Sequence, residues 1–195
     1  MLDQHPQVLA EVDDEIASTL RGAPPTLEDL PRMPLIDRVI KETMRVLAPV
    51  PTLFLRVCQS ETPLGQYQLP KGANVLLPPF LTHRDPEIYS EPTRFLPGRW
   101  EQIKPSIYEY LPYGAGARVC LGAAYASQAM RLVLAMVLQR YRLTLSPNAR
   151  VDAQVRANVL RPKAGLPMQI LPARSGSAHF ERARGNITTL VALPG

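Results

Sequence analysis

Proline is the residue that most limits what this chain can form. There are 21 in 195 residues, about twice ordinary usage. They recur as "APP", "APVP", "LPP" and "LPG", with no low-complexity repeat. Each fixes φ and removes a backbone donor, so helices and central strands end near it. The chain is thereby held to short elements joined by many irregular connections. Leu121–Tyr141 is the exception: it has no proline, no glycine after Gly122, and is dominated by alanine, leucine and methionine. That composition predicts the strongest helix of the protein.

Other elements follow from spacing. Leu9, Val12, Ile16 and Leu20 predict a helix over Pro6–Leu20, stopped by "RGAPP". In the connection "TLEDLPRMP", Thr26 with acidic residues behind it suits a helix cap. A second helix is predicted over Leu35–Leu47, with Ile36, Val39, Ile40 and Met44 on one face and "APVP" at its end. Short β-like pieces come next in "TLFLRVC", "GQYQLP" and "ANVLLPP", with turns at Gly65 and Pro70–Gly72. His83–Tyr113 reads as mostly irregular, with a short helix near Pro86–Tyr89. So long a crossing is uncommon in a compact domain and is usually functional. "RLTLS", "VRANVLRP" and "LPMQILP" read as strands, and Ser175–Gly195 as a tail or linker. The predicted class is mainly α with small β-sheets (α+β), in one domain over 1–174 followed by a tail over 175–195.

The net charge of +5 comes without a lysine- or arginine-rich cluster, which predicts a solvated basic surface and no nucleic-acid partner. Two cysteines, Cys58 and Cys120, build no disulfide framework and fit a reducing compartment. No CxxC or HxxxH pattern offers a structural zinc site. The start, "MLDQHPQVLAEVDDEI", is acidic where a signal peptide would be basic and apolar. The longest apolar run, Leu132–Leu138, is too short to span a bilayer. A cytoplasmic protein without a membrane segment is expected.

The chemistry concentrates in "YLPYGAGARVCLG", Tyr110–Gly122, which sets a thiol on a glycine-rich basic loop directly before the strong helix. A helix N-terminus favours a nearby anion by about 0.3–1 kcal/mol, and Arg118 lies two residues from Cys120. Both favour thiolate over thiol. Gly114, Gly116 and Gly122 permit positive φ or close backbone approach. On these residues alone Cys120 could bind a metal, act as a nucleophile, or serve as a small buried hydrophobe. In "KETMR", Glu42 and Arg45 share one helix face. Arg99 of "FLPGRW" could reach them from the irregular stretch, and Arg56 of "LFLRVC" could offer charge to an anionic ligand.

In order, "KETMR", "FLRVC", "THRDPEIY", "FLPGRW" and "YGAGARVCLG" resemble the cytochrome P-450 haem-thiolate monooxygenases. The family's loop pattern F-x-x-G-x-R-x-C-x-G is matched by Tyr113, Gly116, Arg118, Cys120 and Gly122, and its E-x-x-R by Glu42 and Arg45. Its P-E-R-F is matched loosely by Pro97, Gly98, Arg99 and Trp100. The resemblance implies haem b as cofactor, with Cys120 as the axial thiolate ligand of its iron and Arg118 and Arg56 paired with its propionates. It implies a structural triad of Glu42, Arg45 and Arg99 that positions the cysteine loop. Gly116 and Gly122, with Gly114 and Tyr113 beside them, would let the chain pass beneath the porphyrin. Pro51, Thr52, Leu53 and Phe54 match a segment that often lines the substrate pocket, though a simple core strand explains them equally well. The implied partners are a small organic substrate and a redox partner such as a ferredoxin or flavodoxin-type reductase.

Three departures qualify the resemblance. Tyr113 stands where phenylalanine is usual, which predicts a hydroxyl near the thiolate and a small change in reduction potential. Gly98 replaces a glutamate outside the triad. The third is an absence: no A-G-x-[DE]-T stretch occurs, so the match covers only the family's C-terminal part. The expectation is a monooxygenase fragment, truncated before the long central helix and inactive alone, with the N-terminal part of the fold as a missing partner. The alternative is a non-catalytic haem-binding remnant or one piece of a split or truncated gene. A thiol-redox or dinucleotide protein is disfavoured, because "GAGARV" lacks the third glycine and a preceding β-branched strand.

Overall fold

The computed structural model describes residues 1–173 and 181–194. Helix α1 is Pro6–Leu20, with proline in the first turn, where no amide partner is needed. Arg21 ends it in the left-handed region at φ 50°. The connection that follows is a 3-10 turn, Leu27–Arg32, opened by a reciprocal capping box: the Thr26 amide donates to Asp29 Oδ2 at 2.8 Å. Helix α2, Pro34–Val46, buries Ile36, Val39 and Met44, as the spacing predicts, and with them Glu42 and Arg45.

Every sheet is a two-stranded antiparallel ladder among the described residues. β1 (Arg56–Val57) pairs with β4 (Asn74–Val75), and β2 (Thr62–Leu64) with β3 (Tyr67–Leu69). β5 (Tyr141–Leu145) pairs with β8 (Met168–Pro172), Leu143 opposite Ile170, and β6 (Ala153–Arg156) with β7 (Val159–Pro162). The strand anticipated in "TLFLRVC" forms only at Arg56–Val57; residues 51–55 are not a strand. The helix anticipated near Pro86–Tyr89 is a turn instead: Ile88 and Tyr89 both donate to the Asp85 carbonyl, and Glu91 at φ 47° breaks any continuation. The short helices nearby are α3 (Pro79–Thr82) and α4 (Arg99–Gln102). Helix α5, Ala123–Arg140, begins at Gly122.

The main core gathers Val12 and Ile16 of α1, Ile36 and Val39 of α2, Phe95, Leu138 of α5 and Val191. Full burial of each large aliphatic side chain there stabilises by about 1.5–3 kcal/mol. Although α5 is the strongest helix by composition, it buries only Ala135 and Leu138, and Tyr125, Val133 and Met136 face solvent. A second cluster joins Leu145, Val151 and Ile187, the last from helix α6, Ile187–Leu190.

Of the stretch read as a tail over 175–195, residues 175–180 and 195 lie outside the described residues, and 181–194 pack against the domain. The Gln4 side chain donates to the Glu181 carbonyl at 2.9 Å and accepts the Ala183 amide at 2.8 Å. Ala192 donates to the Thr93 carbonyl at 2.9 Å. Gly185, at φ 100°, passes so close to the Val151 carbonyl that a Cβ would lie 2.5 Å from it. Among the described residues, no helix is long and apolar enough to cross a membrane.

Candidate functional site: a cysteine loop backed by a buried charge network

Behind the loop lies a network centred on Glu42. Its Oε1 accepts Arg45 Nη2, Arg99 Nε and the Leu96 amide, each at 2.9 Å. Its Oε2 accepts Arg45 Nε and Trp100 Nε1, each at 3.0 Å. Arg45 spends its remaining donors on the irregular stretch: the carbonyls of His83, Pro92 and Arg94 accept at 2.7, 2.8 and 2.9 Å. Arg99 donates to the Ser90 carbonyl at 2.6 Å. Glu42 and Arg45 are fully buried, and the Arg45 guanidinium lies 5.0 Å from the Tyr89 ring centroid. Such charges are stable inside only when their hydrogen-bonding capacity is met; here backbone carbonyls complete that of Arg45, and the two arginines, Trp100 and the Leu96 amide complete that of Glu42. The network therefore replaces secondary structure as the support of residues 83–100.

The cysteine loop is closed by its own backbone. Leu111 O accepts the Gly114 amide at 3.1 Å, and Tyr113 O accepts the Cys120 amide at 2.9 Å. Gly114 and Gly116 have φ of 72° and 67°, which L side chains rarely adopt. Gly122 is different: its φ is −85°, and a Cβ there would lie 3.9 Å from Cys120 Sγ. That is an ordinary van der Waals contact, so neither space nor conformation within the chain itself requires glycine there. Cys120 is exposed. The Tyr113 hydroxyl shares a hydrogen bond with Ser127 Oγ of α5 at 3.1 Å, so it is engaged by the helix and braces the loop.

Arg56 of β1 and Arg118 line one cavity of about 420 Å³, together with Leu53, Leu77, Leu111 and Ala115. No acidic residue lines it. Neither arginine makes an ion pair or side-chain hydrogen bond among the described residues, unlike Arg45 and Arg99. Two unpaired cations on one cavity, with Arg118 two residues along the chain from the exposed Cys120, can pair with an anionic ligand. No cluster of three or more His, Cys, Asp or Glu side chains could hold a metal among the described residues.

Of the segment 51–54, Pro51 is buried, Thr52 and Leu53 are half-buried, and Phe54 is 76% exposed. A core strand does not describe it. Leu53 reaches the cysteine loop, where its methyls would lie 3.7 Å from a Cβ on Gly114. The β6–β7 tip pins the same segment: Asn158 Nδ2 donates to Thr52 O at 2.6 Å, and the Leu160 amide to Pro49 O at 2.9 Å.

Sequence reasoning missed the ring cluster between network and loop. His83 is fully buried, and its Nε2 accepts the Leu111 amide at 2.8 Å. Its ring lies 5.4 Å from that of Tyr110, which lies 4.7 Å from that of Trp100. Tyr110 donates its hydroxyl to the Lys41 carbonyl at 3.1 Å, and Tyr89 to that of Glu109 at 3.0 Å. Desolvation raises both phenol pKa values, that of Tyr89 and that of Tyr110. Four aromatic or imidazole rings within an irregular stretch were the available signal.

Comparison with known proteins agrees with the motif reading. The family model for cytochrome P450 matches residues 1–169. Cytochrome P450 3A11 of Mus musculus is 34% identical over 176 residues, which is 88% of this chain and 35% of that protein. Pentalenene oxygenase of Streptomyces avermitilis is 34% identical over 166 residues, 84% of this chain and 37% of that protein. The chain thus spans little more than a third of these relatives' length. A zebra fish cytochrome P450 solved with abiraterone superposes with a TM-score of 0.78 at 33% identity, over 89% of this chain and 41% of that one. By sequence and by fold, this chain belongs to the cytochrome P450 family.

Proposed function

We propose that the chain is the haem-ligating C-terminal portion of a monooxygenase, carried by residues 1–174 with 175–195 as an appended segment. Haem b, when bound, supplies the oxygen chemistry, by which one atom of O2 enters an organic substrate. The chain's own residues bind and orient it. Cys120 offers its thiolate to the iron, while Arg56 and Arg118 pair with the propionates through charge-assisted bonds. Gly114 and Gly116 give the loop its turn, Gly122 caps the start of α5 beside it, and Tyr113 braces the loop on Ser127. Glu42, Arg45 and Arg99 act as a structural triad beneath the irregular stretch. Pro51, Thr52, Leu53 and Phe54 form one wall for a small organic substrate. Electrons come from a ferredoxin or flavodoxin-type reductase, and the compartment is the cytoplasm.

The observation that supports this reading is that Arg56 and Arg118 line one cavity free of acidic residues, with Arg118 two residues along the chain from the exposed Cys120. A second reading has its own support. Because the chain spans 35% of the mouse relative, it also fits a piece of a split or truncated gene, or a haem-binding remnant without oxygenase activity. The deciding test is a carbon monoxide difference spectrum of the reduced, haem-reconstituted chain beside Cys120→Ala. A strongly red-shifted Soret band, lost in the variant, supports thiolate ligation. Identical spectra refute it. No haem uptake favours the piece of a larger enzyme, and substrate turnover by the chain alone would overturn inactivity.

A further inference from the structure

A continuous path of bonds runs from the charge network to the cysteine. The His83 carbonyl accepts Arg45 Nη1 at 2.7 Å, and the ring of the same residue accepts the Leu111 amide through Nε2 at 2.8 Å. Leu111 in turn accepts the Gly114 amide at 3.1 Å, and Tyr113 the Cys120 amide at 2.9 Å. We propose that His83 is a positioning residue for Cys120: its neutral ring, protonated on Nδ1, holds the Leu111 amide and so fixes where the cysteine loop starts relative to the Glu42–Arg45 network. The inference rests on the reading of Cys120 as a metal-ligating thiolate.

Chemistry singles out this side chain. Leu111 presents an N–H, so the facing atom must be an acceptor, and only an unprotonated ring nitrogen is one. Nδ1 then carries the proton, yet it has no partner among the described residues. A buried, unpaired N–H is costly, and leucine or phenylalanine would fill this space without that cost. What neither could supply is the acceptor. The surroundings favour a neutral ring: Arg45 of α2 and the adjacent Arg84 are cations facing it, and the rings of Tyr89 and Tyr110 pack on it. The carboxylates of Glu42 and Glu109 lie beyond, the first taken by the arginines and the second by the Ser106 amide. Burial, Arg45 and Arg84 lower the His83 pKa to about 4.

The test is nitrogen-15 NMR on the full chain, with His83→Gln and His83→Phe. In the unaltered chain at neutral pH, His83 should be the Nδ1–H tautomer, and the Leu111 amide should be protected from exchange. His83→Phe should exchange Leu111 about 10- to 100-fold faster. His83→Gln, whose side-chain oxygen can accept, should recover part of the protection. After haem reconstitution, His83→Phe should show a smaller fraction of the thiolate Soret signature, and His83→Gln should restore it. An Nε2–H tautomer, or equal Leu111 protection in all three proteins, overturns the proposal, as does an unchanged Soret signature in a loaded His83→Phe. Should His83→Phe not fold, the tautomer in the unaltered chain decides. If the unaltered chain binds no haem, or Cys120→Ala matches it, the haem reading is what fails; tautomer and exchange still judge the hold on Leu111.

Discussion

Glu42→Gln exchanges the carboxylate shared by Arg45, Arg99 and Trp100 for an amide of nearly equal size. Five donors converge on the carboxylate, three on Oε1 and two on Oε2. The amide keeps one acceptor oxygen and turns an NH2 toward groups that are themselves donors. Two buried guanidiniums lose the charge opposite them. Removing one partner of a buried ion pair costs about 3–5 kcal/mol, against about 5–15 kcal/mol of total stability for an ordinary domain. At a urea slope of about 2 kcal/mol per molar, the midpoint should fall by about 2 M. Trp100 is the sole tryptophan and donates to Glu42, so its fluorescence reads the network directly, beside circular dichroism for the whole chain. Glu42→Asp, which keeps the charge but not the reach, should fall between. A loss below about 1 kcal/mol for Glu42→Gln would refute the claim that this network holds the irregular stretch in place.

Other consequences can be checked in parallel. Because the folded chain holds His83 neutral with a pKa of about 4, against about 6.5 when unfolded, its contribution is full above pH 6.5. That contribution is lost as pH falls toward 4, by about 2–3 kcal/mol; thermal melts from pH 7 to 4 should show a drop that is shallower in His83→Gln. Arg56→Gln and Arg118→Gln should each weaken haem uptake about 10- to 100-fold in a titration, as loss of a charged hydrogen bond does; unchanged uptake would remove them from the propionate role. Asn158→Ala removes the bond to Thr52 and puts alanine at φ 64°. It should cost about 2 kcal/mol, or about 4–8 °C in Tm, with Asn158→Gly recovering the conformational share. Tyr113→Phe should lose about 1 kcal/mol through Ser127, and it should shift the potential of the haem-loaded form slightly if the hydroxyl acts on the thiolate; an unchanged potential counts against that action.

The parts legible in the sequence were those with a period or a fixed offset. Val12, Ile16 and Leu20 mark α1, and Ile36 and Val39 mark α2, because a helix must repeat its buried face. Glu42 and Arg45 were found for the same reason, three apart on one turn. The stretch from His83 to Tyr113 has no period, since side chains bonded to distant carbonyls hold it: Arg45 reaches Arg94 across 49 residues. That is why the turn at Asp85 was misread as a helix and why His83 went unnoticed. Nor does Ser175–Gly195 show a helical face, yet Gln4 and the core claim its described residues, by contacts between opposite ends of the chain.

Phe54, Val119 and Leu121 stand exposed on the segments that carry Arg56, Arg118 and Cys120. Whatever covers them removes apolar surface from water, so its binding must carry a negative heat-capacity change. The enthalpy of that step becomes steadily more favourable as temperature rises, while compensating entropy holds the affinity nearly level. A calorimetric series across a few tens of degrees would therefore register closure of this face through the slope of the heat, even for a ligand whose affinity barely moves.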